Sequence, residues 1–98
     1  MKSDEKTLIY LIKKTTQVDA GKYGWIHETS GIEKAYTDHD KACEYIYDMY
    51  RKAFKYNTTL SAQFVDSDMG TYTEYLFEDK NRKVNVRVHY HLSTTELE

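Results

Sequence analysis

TDHDKACEYIYDMYRKAFK, Thr37 to Lys55, is the stretch on which the fold depends. Ala42, Ile46, Met49, Tyr50 and Ala53 recur at helical spacing, flanked by Cys43, Tyr47 and Phe54. Thr37 reads as the N-cap, with Asp40 three residues on completing a capping-box-like pair. Asp38 adds negative charge at the positive helix end, while Lys52 and Lys55 suit the opposite one. Asp48 with Lys52 adds an i,i+4 pair, and Asn57 can stop the helix. On both sides of this segment the hydrophobic pattern changes from helical to strand-like, so one helix divides two groups of strands.

Upstream, Thr7 to Lys14 is a short apolar strand whose two faces, Leu8, Tyr10 and Ile12 against Ile9 and Leu11, are both hydrophobic. That marks a central strand, or one whose second face meets a partner. Gln17 to Lys22, with Gly21, reads as a turn. Tyr23 to Glu28 and Ile32 to Tyr36 read as two short strands joined by a hairpin at Thr29-Ser30-Gly31. Downstream, Leu60, Ala62 and Phe64 alternate with Ser61 and Gln63. Asp66 to Gly70 is a turn, Thr71 to Glu78 a strand and Asp79 to Arg82 a second turn. Val84, Val86, Val88, Tyr90 and Leu92 then alternate with polar residues, the cleanest period of two in the chain. The expected fold is α+β: one long helix on a mainly antiparallel sheet, order β-β-β-α-β-β-β, ending in a three-strand meander.

The chain of 98 residues is long enough for one two-layer domain, spanning 1–98, with residues 94–98 as a tail and Leu97-Glu98 resembling a cloning scar. A net charge of -2 and 31% charged residues exclude a strongly basic nucleic-acid binder. Ten Tyr, three Phe and one Trp exclude a disordered chain, and the absence of proline leaves every strand free to pair. One Cys excludes an internal disulfide and a cysteine-rich zinc module. The apolar run Leu8 to Ile12 is too short for a signal peptide, which points to the cytoplasm.

A five-stranded sheet is roughly 20 Å wide and a helix about 10–12 Å across, so one helix leaves part of the sheet uncovered. Ile9, Leu11, Tyr23, Trp25, Tyr72 and Leu76 carry more apolar surface than that helix can hide. The uncovered face, or an edge, is therefore expected to meet another protein or a second copy of this chain. The acidic run Asp66, Asp68, Glu74 and Glu78, with Tyr72 and Leu76 on the same strand face as Glu74 and Glu78, is the expected contact surface. Tyr45, read on the polar side of the helix, is a second contact candidate.

The residues give little chemistry. His89 and His91 sit two apart on one strand face, and His39 and Cys43 four apart on one helix face, but the two pairs fall on opposite sides of the sheet. His89 and His91 are weak metal candidates on that account. Cys43 with His39 lacks an orienting third group, and no phosphate-binding or nucleophile-elbow motif occurs, so neither an enzyme nor a cofactor is expected. Arg87 and His89 beside the sheet tyrosines could instead support weak single-stranded nucleic-acid binding.

Ile32-Glu33-Lys34-Ala35-Tyr36-Thr37-Asp38-His39-Asp40-Lys41-Ala42 is a short strand ending in an aromatic, a capping hydroxyl and an alanine about five residues on. The segment resembles small phage and mobile-element proteins, some of which are anti-defence inhibitors such as anti-CRISPR proteins. The resemblance implies a non-catalytic protein that binds and occludes a larger, nucleic-acid-processing one.

Overall fold

Val86, Val88 and Tyr90 from one side of the C-terminal strand, Ile12 from the N-terminal strand, and Ala42 and Ile46 from the helix bury one another. In the computed structural model, which describes residues 7–55 and 58–97, this cluster lies between a single sheet and a single helix. The elements are β1 (Thr7–Asp19), a 3-10 turn at Gly21–Tyr23, β2 (Trp25–Tyr36), α1 (His39–Ala53), β3 (Thr59–Ser67), β4 (Gly70–Asp79) and β5 (Val84–Leu97). Each large side chain the core removes from water contributes about 1.5–3 kcal/mol.

The order is therefore β-β-α-β-β-β, not the expected β-β-β-α-β-β-β, and the protein is chiefly a five-stranded antiparallel sheet with one short helix. The two short strands expected between Tyr23 and Tyr36 are one strand. A hairpin at Thr29-Ser30-Gly31 needs positive φ, and Gly31 does not adopt it. The chain instead continues through two bulges, where Glu33 and Glu28 are the extra residues against β1. The turn expected at Gln17 to Lys22 is shifted, with Gln17 to Asp19 paired in β1 and the chain reversing at Gly21 and Gly24, at φ 68° and 76°.

The expected C-terminal three-strand meander does not describe the sheet either. Sheet order is β2-β1-β5-β4-β3, so the last strand is the central one, flanked by β1 and β4. Residues 94–97, expected as a tail, complete β5 and pair with Thr7 to Tyr10. Asn57, the expected helix stop, the N-terminal run Met1 to Lys6, and Glu98 lie outside the described residues.

α1 has 15 residues, about 22 Å, whereas the 14 residues of β5 reach about 48 Å. Its N-cap is Asp38, one residue later than Thr37. Asp38 keeps an extended backbone (φ -107°, ψ 116°), and its carboxylate accepts from the amides of Asp40 and Lys41 at 2.9 and 3.3 Å. Ala42, Ile46 and Ala53 are buried, as the helical spacing requires. The helix crosses chiefly over β4 and covers one face of the sheet over part of a molecule 59 Å long.

Candidate interaction face on the open side of the sheet

Strand alternation sends Tyr75, Phe77, Val86, Val88, Tyr90 and Ile12 toward α1 and the intervening residues to the opposite face. Three rows of facing residues cross all five strands on that open side. Val65, Tyr72, His91, Lys13 and Ile32 form the first. Gln63, Glu74, His89, Thr15 and Ser30 form the second, and Ser61, Leu76, Arg87, Gln17 and His27 the third. No described element covers them.

The face is ordered by its own contacts. Tyr72 stacks on His89 (centroids 5.2 Å, planes 21° apart), and His89 Nδ1 lies 3.2 Å from Glu74 Oε2. His91 packs against His89 at 5.4 Å, and its Nδ1 is shielded from solvent with no hydrogen-bond partner. Burial first, then the neighbouring His89 and Lys13, holds the His91 imidazole below its ordinary pKa. Arg87 lies over the Trp25 ring at 4.1 Å and donates to Gln17 Oε1 at 3.2 Å. A depression of about 300 Å³ opens over the short side chain of Ser61, between Leu76, Glu74 and Arg87.

Of the expected contact residues, Tyr72, Glu74, Leu76 and Glu78 share this face. The rest do not join them. Asp66 lies on the helix side, where it accepts from Thr71 Oγ1 at 2.9 Å, and Asp68 sits in the β3–β4 turn. Tyr45 is not on a polar helix face. It packs between Tyr36 and Tyr90 and donates to Glu33 Oε2 at 3.1 Å, and burial with that acidic neighbour raises its pKa. Sequence patterning does not mark Trp25, Gln17 and Lys13 as partners of Arg87 and His91 on one face, because it separates the strand carrying Trp25 into a hairpin. Of the apolar side chains expected to lie uncovered, Tyr23 is exposed in its turn, while Ile9, Leu11, Trp25, Tyr72 and Leu76 are half-buried.

His89 and His91 occupy the open face and Cys43 and His39 the helix face, so the sheet separates the two pairs. Among the described residues no group of three or more His, Cys, Asp or Glu is placed to hold a metal ion. Cys43 Sγ lies 3.6 Å from His39 Nε2 and 3.9 Å from Thr71 Oγ1. Asp40 approaches His39 Nδ1 at 3.5 Å, a third group the spacing had not revealed, but its side chain is 94% exposed. Burial, and then the carboxylates of Asp66 and Asp40, push the thiol pKa up, opposite to what a nucleophile needs. A base-stacking platform is equally poorly supplied. Tyr10, Tyr75 and Tyr90 face the helix, while His89 already occupies the ring face of Tyr72 and Arg87 that of Trp25.

Among the described residues no helix is long and apolar enough to cross a membrane. No protein-family model, curated protein or solved structure matches the chain.

Proposed function

We propose that this chain is a non-catalytic protein-interaction module whose open sheet face binds the surface of a larger protein. The observation that carries the reading is the self-stacked face itself: Arg87 holds Trp25, and His89, anchored on Glu74, holds Tyr72, although no described element covers them. Rigid aromatic and arginine side chains lose little entropy on contact, and such residues dominate binding energy at interfaces. Glu74 and Glu78 beside them fit a partner with a basic groove, including a nucleic-acid-processing protein that this module would occlude.

The test is capture from nuclease-treated lysate by the immobilised chain, read by mass spectrometry against a double variant, Glu74→Gln with Glu78→Lys. The introduced glutamine amide can still accept from His89, so the stack survives while the charge of the face changes. A stoichiometric protein captured by the parent chain and weakened at least about tenfold by the variant supports the reading. A captured set identical for parent and variant overturns it.

A further inference from the structure

The sheet has two free edges, β2 and β3, and only one of them is defended. β2 is interrupted by two bulges whose extra residues, Glu28 and Glu33, contact Arg82 and the Tyr45 hydroxyl. Bulges and charges of this kind keep an edge from pairing with another strand. On β3, residues Thr59 to Val65 (TLSAQFV) carry no charge, glycine or proline, and the one irregularity is at Leu60 near its start.

The flank of α1 above this edge is aromatic in the middle and oppositely charged at its ends. Tyr47, Tyr50, Phe54 and Phe64 form a continuous cluster, with ring centroids 5.0–6.0 Å apart. Yet Phe54 is 61%, Leu60 57% and Tyr47 44% exposed. Beside Phe64 the acidic Asp40, Glu44, Asp48 and Asp66 line one depression, with Asp68 in the adjoining turn. At the other end Arg51 and Lys52 in the last turn of the helix, and Lys55 just beyond it, are all exposed.

We infer that β3 pairs antiparallel with β3 of a second copy, forming a continuous sheet of two chains about a two-fold axis near Gln63 and Phe64. The charge order argues for a second copy over any other occupant. An axis perpendicular to the sheet reverses β3 and keeps both helices on one side, so the acidic end of each copy meets the basic end of the other. Glu44 and Asp68 of one chain then face Arg51 and Lys55 of its mate. The spacing agrees as well. With α1 chiefly over β4, three strand intervals separate the two helices by about 14 Å. Tyr47 and Phe54 from each copy occupy that gap. A strip about 30 Å long and two layers, about 20 Å, tall offers roughly 600 Å² per chain, near the ~800 Å² of a standard interface. This dimer goes beyond the binding function proposed above and places two open faces side by side.

Sedimentation equilibrium of the pure chain over a concentration series tests it. Glu44→Lys/Asp68→Lys and Arg51→Glu/Lys55→Glu each change only exposed side chains, and each should weaken the dimer at least about tenfold at low salt while the far-UV circular dichroism of a folded chain is retained. Combining all four substitutions restores the charge pairing and should return the dissociation constant to within about threefold of the parent. A chain that stays monomeric to millimolar concentration overturns the inference. So does a dimer that neither charge set weakens, since its interface then lies elsewhere.

Discussion

At the scale of single residues, the open face concentrates its electrostatic strain on His91. Its imidazole is held neutral by burial and by the neighbouring His89 and Lys13, so its folded pKa lies below the ordinary 6.5. A depressed folded pKa contributes stability that is present above the unfolded value and lost as pH falls through the folded one. The thermal melt should therefore drop between about pH 7.5 and about pH 5.5, and His91→Asn should narrow that difference. An unchanged difference in the variant would assign the acid sensitivity to other groups. The helix start gives a second residue-level test. Asp38→Ala removes the carboxylate that accepts two amides and should cost about 0.5–2 kcal/mol in urea unfolding. Thr37→Ala should cost less than about 0.5 kcal/mol. Both residue types cap helices well, and sequence alone does not choose between them. The backbone makes the choice, because it stays extended through Asp38.

At the scale of elements, α1 is legible because its period is local: Ala42, Ile46 and Ala53 lie one or two turns apart and turn inward whatever they pack against. Ile46 is fully buried between the helix and the sheet. Ile46→Ala should destabilise by about 2–5 kcal/mol in equilibrium urea unfolding, a large part of the stability of a small domain. A loss under about 1 kcal/mol would mean that the helix is not bound to the sheet through that side chain. β5 is equally legible along Val84 to Leu92, yet its extension to Leu97 is not, because Ser93 to Glu96 carry no hydrophobic alternation. Those residues are strand because β1 lies opposite them, with Leu8 to Leu11 as partners. β2 is illegible for the opposite reason. Thr29-Ser30-Gly31 is good turn chemistry, and only pairing with Thr16 to Lys14 keeps it extended. The edge of β3 carries the dimer test described above, since its pairing capacity belongs to the whole element rather than to any one side chain.

At the scale of the molecule, the helix covers one face over part of the sheet's length and leaves the other face to order itself. The capture experiment belongs here. Glu74→Gln with Glu78→Lys alters a half-buried and an exposed group and should leave the melting temperature within a few degrees while weakening partner capture. Tyr72, Glu74, Leu76 and Glu78 share a face as expected, because one strand's alternation suffices for that. Their neighbours Arg87 and Trp25 come from strands far apart in sequence, and Tyr45 and Asp66 lie on the helix side. The amino-acid sequence by itself determined the helix, the inward face of β5, the absence of a disulfide framework and the need for a two-layer core. Those follow from local periodicity and composition. Only the tertiary structure decided that β5 is the central strand, that β2 is continuous, and which side chains meet across the open face. Strand order and register arise from backbone pairing between distant segments, and a hydrogen-bonded ladder carries no mark in the side chains that form it.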